Sequence, residues 1–339
     1  MRTSLPFFLA AFAIVGLGCA SAPEPAPSAG GALRVAPAPA RIADPSSPAP
    51  ALKLGPKARR AALRYKVNGD DFPLPLVDVV IAGFPTSMIV DTGASHHVIA
   101  DWVAKEIAVP VTTSGDRAVD HAGRAQTVGR AENVKLSISG WNSIEVPLVL
   151  VLSMPGALQH LGIGGVLAPH LLAGPGHATL LDLRGGAMVE EAEEEAAKHE
   201  VESGGTRAIT SARVCGGATE GVVLVVQAAA FGEPAWLKLD SGAMSSSLFE
   251  RSAAGKRALA QVGSARKEYG AAGSFTSLSV PGARVMVGEF EAAVELGVES
   301  GAPAANCPSD GFLGMDVLRS CVVVLRGDRT SARCGRRAD

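Results

Sequence analysis

Apolar and polar positions along this chain fall into short Val-rich blocks, with few stretches at helical spacing. LPLVDVVIAG, SMIVD, ENVKLSISG, IEVPLVLVL, GVVLVVQAAAFG and CVVVLRGDRTSARC are rich in β-branched residues and bounded by Gly, Pro or Asn, so each predicts a strand. Only brief segments, ASHHVIADWVAKEI and GMDVLRS, read as helices. The pattern predicts an all-β protein. One strand ends unusually: in MIVDTGASHHVI an apolar run stops on Asp91 and turns at once through Thr92 and Gly93. A carboxylate at the tip of a buried strand is costly to desolvate, which leaves three roles for it: turn residue, cap or working acid.

The same pattern occurs twice. Residues 83–102 read GFPTSMIVDTGASHHVIADW and residues 232–251 read GEPAWLKLDSGAMSSSLFER, at an offset of 149 residues. Each copy has a later companion: GVLAPHLL then TLLDLRGGAMV in the first half, GFLGMDVL then CVVVLRGDRTSA in the second. Ordered matching segments indicate two copies of one domain. A turn alone could explain Asp-Thr-Gly or Asp-Ser-Gly, but not the matching strands and downstream motifs.

Composition divides the rest. Residues 20–56 are dominated by Ala, Pro, Ser and Gly, which cannot bury enough apolar surface to order, so they predict an extended tether. EEAEEEAAKHEVESGG, residues 190–205, predicts an exposed acidic helix linking two domains. The expected organisation is a signal peptide over 1–18, a tether over 19–57, a first lobe over 58–189, a linker over 190–207 and a second lobe over 208–339. The 339 residues suffice for two modest cores. With 31 basic and 33 acidic side chains, bulk charge gives no reason to expect a nucleic-acid partner.

MRTSLPFFLAAFAIVGLGC has an early arginine and an apolar stretch too short to span a bilayer, as in an export signal. Its GLGC end resembles the bacterial lipobox, although Gly16 stands where that motif prefers Leu. The resemblance implies lipidation of Cys19, and Ala20 after it implies an outer-membrane destination in the cell envelope; a cleaved signal and a periplasmic or secreted chain is the alternative. An exported chain meets an oxidising compartment, so Cys215, Cys307, Cys321 and Cys334 are disulfide candidates. Cys334 could face Cys321 across a hairpin or join Cys215. None has zinc-site spacing.

DTGA and DSGA, each after an apolar strand and each followed by an apolar-apolar-Gly-type element such as GFLGMDVL, resemble the aspartic proteases of the pepsin and retropepsin clan. The resemblance implies two homologous β-barrel lobes with a cleft between them, in a monomer, and hydrolysis of peptide bonds in an extended peptide or protein substrate. It implies Asp91 and Asp240 as the catalytic pair, with Thr92, Gly93, Ser241 and Gly242 in a supporting network and neither metal nor cofactor. Two facing carboxylates retain one proton between them, so one can take a proton from water while the other serves the scissile carbonyl.

This sequence departs from the clan's pattern in three places. Ala168 stands where the clan expects glycine, and its methyl is expected to crowd the loop carrying Asp91. Residues 112–128, the presumed flap, contain no aromatic residue. His96 and His97 follow DTGAS and are expected to face solvent. These departures leave a rival reading, a protease-shaped envelope lipoprotein that holds peptide without cutting it. No HExxH, GxSxG or phosphate-loop motif offers another chemistry. Trp102, Trp141 and Trp236 are expected to pack against cores.

Overall fold

The fold is taken from a computed structural model that describes residues 58–119, 125–141, 143–201, 212–215, 223–270, 273–300, 309–326 and 329–335. The expected signal peptide, tether and lipidation site at Cys19, together with Cys307, lie outside the described residues. Strands dominate and the helices are few and short. Among the described residues, no helix is long and apolar enough to cross a membrane.

Two eight-stranded sheets share one order. In the first, the strands Arg64–Val67, Asp70–Ile81, Phe84–Val90, Ile163–Leu167, Val98–Ala100, Ser143–Leu152, Ala125–Ile138 and Thr112–Val119 lie side by side. In the second the sequence is Ala212–Cys215, Val223–Ala230, Glu233–Leu239, Gly311–Leu313, Ser247–Phe249, Phe290–Glu299, Gly273–Val287 and Ser264–Gly270. Each sheet has an extra antiparallel pairing between corresponding strands, Val79–Val80–Ile81 with Ile138–Ser137–Leu136, and Ala229–Ala230 with Met286–Val285. The strand leading to each aspartate runs parallel to a short later strand: Ile89 beside Val166, and Lys238 beside Phe312. The duplication read from sequence is thus matched, strand for strand, in the hydrogen bonding.

A third sheet joins the halves. Arg59–Ala62, Ala187–Ala192 and His177–Asp182 come from the first half, Cys321–Arg326 and Arg329–Cys334 from the second, with Leu180 opposite Val324 at the junction. The acidic segment begins inside this sheet. Glu190 and Glu191 are buried, Glu190 bonded to Arg59 at 2.6 Å and Glu191 to His199 at 2.7 Å. The helix expected from the acidic run follows at Glu193–Val201. Two further contacts cross the halves: Arg319 lies 3.4 Å over the Tyr65 ring, and the Arg333 guanidinium donates to the His199 carbonyl at 3.0 Å.

Leu74, Leu76, Ile81, Ile89, Leu152 and Leu167 in the first half, and Leu237, Leu239, Leu296 and Leu313 in the second, are sealed from solvent. Each fully buried side chain of this size contributes about 1.5–3 kcal/mol, so aliphatic residues alone can hold a chain with so few aromatics. Cys321 and Cys334 face each other across the last hairpin and form a disulfide, which excludes the Cys334–Cys215 alternative. Trp102 packs edge-on against Phe84, with ring centroids 5.9 Å apart, and Trp141 and Trp236 are partly buried against apolar clusters. The helix expected over ASHHVIADWVAKEI is shorter than its pattern. Val98–Ala100 is a strand, inserted between Ser143–Leu152 and Ile163–Leu167, and the helix starts only at Asp101. Two β-branched residues with partners on both sides outweigh a weak local helical preference.

Candidate active site

Both aspartates end a strand and are fixed by the same backbone contact. The Asp91 N–H donates to the Leu167 carbonyl at 2.9 Å and the Asp240 N–H to the Leu313 carbonyl at 3.0 Å. From these positions the two turns meet. The Thr92 N–H donates to Ser241 Oγ and the Ser241 N–H to Thr92 Oγ1, both at 3.0 Å, while Ser241 Oγ donates to the Val90 carbonyl at 2.7 Å. Asp91 Oδ1 accepts from the Gly93 N–H at 2.6 Å and, across the halves, from the Gly242 N–H at 3.3 Å.

The two glycines allow this approach. A Cβ on Gly93 would lie 2.7 Å from the Asp240 carboxyl carbon, and one on Gly242 would lie 2.5 Å from that of Asp91. Any side chain there would push the acids apart. The sequence-expected set of Asp91, Thr92, Gly93, Asp240, Ser241 and Gly242 is therefore brought together at one buried point. Cys321 and Cys334 lie apart in their hairpin, and Cys215 lies in the strand Ala212–Cys215.

Neither Asp91 nor Asp240 has measurable solvent exposure. The Asp91 carboxyl is held well above its usual range, first by burial and then by the neighbouring Asp240 charge; Lys238 and the Gly93 N–H pull the other way. Asp91 Oδ2 and both oxygens of Asp240 take no hydrogen bond from a protein donor among the described residues, so these three atoms are available to a shared proton, to water or to substrate. Such an arrangement can hold one proton between two acids and pass it on. Among the described residues, no group of three or more His, Cys, Asp or Glu could hold a metal ion.

The histidines correct the sequence reading. His96 and His97 are buried rather than facing solvent. His97 Nδ1 accepts the Ala168 N–H at 3.1 Å, and Ser95 Oγ lies 3.0 Å from His96 Nδ1. In the second half Ser246 Oγ does the same for the Gly314 N–H at 3.0 Å, and Asp316 accepts from both the N–H and the hydroxyl of Ser246. The pair His97 and Ala168 therefore replaces Ser246 and Gly314. The accepting imidazole nitrogen lies one bond further from its Cβ than a serine hydroxyl does, and the residue it holds carries a methyl where the second half has Gly314. A Cβ on Gly314, by contrast, would collide with the Ser245 backbone. Burial, with help from His170 and His96, pushes the His97 pKa down to about 3, and burial pushes His170 down to about 4.

Sequence reasoning missed His97 and also Lys238. The signal for the second was visible: a lysine inside the apolar strand WLKLD, at the position where the first half has Ile89. Lys238 is buried, with Nζ 3.7 Å from Asp240 Oδ2.

A family model described as aspartyl protease matches residues 77–167, from within the strand Asp70–Ile81, which pairs with the strand leading to Asp91, to the end of the strand Ile163–Leu167 that runs parallel to that leading strand. That span supports a protease-like function. The second half, which repeats its strand order, lies outside the match. No curated protein matches the chain.

Proposed function

We propose that this protein is an aspartic-type endopeptidase of pepsin-like, two-lobed design, with barrel-like lobes over 58–189 and 208–339 and the acidic segment 190–207 between them. The observation that carries this reading is the mutual approach of the turns, so close that a methyl on Gly93 or Gly242 would strike the opposite carboxyl. Structural turns have no need of that proximity, and it costs the desolvation of two acids.

In the proposed reaction the singly protonated pair binds one water. Asp91, whose proton is favoured by burial, donates that proton to the scissile carbonyl oxygen, while Asp240 takes a proton from the water as the water oxygen bonds to the carbonyl carbon, giving a tetrahedral diol. As the diol collapses, the C–N bond breaks, the proton held by Asp240 goes to the departing amine, and a hydroxyl proton of the diol returns to Asp91 as the new carboxyl group forms. Thr92 and Ser241 keep the two carboxyls in place across the halves. An extended peptide lies between the lobes and pairs with strand edges. Residues 1–18 export the chain, and Cys19 carries the lipid that, through residues 19–57, tethers it at the envelope.

The test is digestion of casein and of a mixed peptide library from acid to neutral pH by the wild type, Asp91→Asn and Asp240→Asn. Loss of about 10²- to 10⁴-fold in rate in each variant is expected. Retained cleavage in either variant overturns the assignment. Peptide binding without cleavage by the wild type favours the non-cutting reading that Ala168 and the flap without aromatics raise.

A further inference from the structure

The two halves differ at one position that bears directly on the carboxylates. Ile89 and Lys238 occupy equivalent places, each two residues before the aspartate, and side chains two apart on a strand share a face. In the first half that face presents a fully buried aliphatic side chain; in the second it presents an ammonium, 3.7 Å from Asp240 Oδ2 and with no hydrogen-bond partner among the described residues.

A lysine at this place has no evident structural purpose. Its strand neighbours are Val225 on one side and Phe312 on the other, both buried and apolar. Burying an ammonium among them is costly unless a charge answers it, and the charge that does so is Asp240. The other charged groups on packed elements are engaged elsewhere or lie further off. Asp310 accepts the Trp236 N–H at 2.8 Å, Arg257 bridges to Glu233 at the far end of the strand, Lys256 is exposed, and Arg213 occupies the register position beyond Val225. On the first-half side, the charges bearing on Asp91 are Asp240 and Lys238.

We propose that Lys238 is a positioning residue that acts through Asp240: its fixed positive charge sets how much negative charge the carboxylate pair holds and thereby moves the pH range of the activity downward. The inference rests on the proteolytic reading for its consequence, but not for its physics. A pair with one shared proton carries one negative charge, which the ammonium balances, so the buried cluster is neutral in the state that can bind and activate water. Without the lysine the same state is a buried net anion, and the pair holds its protons to higher pH.

The experiment compares the wild type with Lys238→Met and Lys238→Ile, the second copying Ile89, and with Lys238→Arg, which keeps the charge. Circular dichroism identifies the folded variants. The first readout is a carbon-13 NMR titration of carboxyl-labelled aspartate, with the pair's resonances assigned through Asp91→Asn and Asp240→Asn. It does not depend on turnover. The neutral variants are expected to raise the pair's titration by about 1–3 pH units, and Lys238→Arg to leave it near the wild type. The second readout is kcat/KM against pH, whose two limbs are to move upward by the same amount. A titration that shifts by less than about 0.3 unit in the neutral variants, or as far in Lys238→Arg as in Lys238→Met, overturns the inference. A shifted titration in a protein that cleaves no peptide upholds the role of Lys238 and defeats the proteolytic reading.

Discussion

The buried histidines behind the Asp91 turn make the fold sensitive to acid, and His97→Asn measures by how much. His97 in the folded protein protonates only near pH 3, against an ordinary value of 6.5. Its folded pKa is therefore depressed: the contribution to stability is complete above pH 6.5 and is lost as pH falls toward 3, because the unfolded chain binds a proton that the folded chain refuses. Each pH unit inside that window removes about 1.4 kcal/mol, so about 3 kcal/mol disappears between pH 6.5 and 4 from this residue alone. Asparagine places Oδ1 near the position of Nδ1, accepts the Ala168 N–H in the same way and does not titrate. At pH 7 the smaller side chain is expected to cost about 1–2 kcal/mol in packing. Urea unfolding at intervals from pH 7 to 4 should then show the two stability curves crossing near pH 5, with the variant the more stable below. The slope from His170, whose folded pKa is about 4, persists in both proteins. Parallel curves with no crossing refute the argument, for they show that His97 is not held neutral by its surroundings.

Two further outcomes follow from the site. Ser241→Ala removes the acceptor for the Thr92 N–H and the donor to the Val90 carbonyl, whereas Thr92→Val removes only the acceptor for the Ser241 N–H. With about 1–3 kcal/mol for each stranded buried group, the serine variant should unfold in less urea than the threonine variant; the reverse order contradicts the network. For Asp91 the folded pKa is raised, so its contribution is complete below its ordinary value of 3.8 and is lost as pH rises through the raised value. Asp91→Asn should therefore melt higher than the wild type at pH 7 and lose that advantage below pH 4, as calorimetry can show; a lower melting temperature at pH 7 counts against a carboxyl whose charge is disfavoured by burial.

The parts of this fold that were legible in the sequence are those that repeat. Asp91 and Asp240 stand out because local strand signals, turn chemistry and a fixed offset agree on them, and the glycines after them are explained by how close the opposite carboxyl lies. His97 was misread because its partner, the Ala168 N–H, lies 71 residues away and no local rule connects them. Adjacent polar residues read as surface when nothing nearby can satisfy them. Glu190 failed in the same way: an acidic run suggests solvent until Arg59, 131 residues earlier in the chain, supplies a counter-charge. Lys238 differs from these, since the repeat exposes it at once when the halves are compared position by position, as a charge where the other copy has Ile89.

Lys238 and the histidines together place opposite demands on pH. An ammonium beside Asp240 eases ionisation of the pair, which extends the singly protonated state toward acid. The imidazoles of His97 and His170 work against the folded state over that same acid range, since the folded protein holds both uncharged where the unfolded chain takes up protons. As pH falls, then, protonation of the unfolded chain's imidazoles weakens the scaffold beneath Asp91 whatever the state of the carboxylates. Activity measured in seconds after a pH jump should report the pair, whereas activity after long incubation should fall earlier and report unfolding.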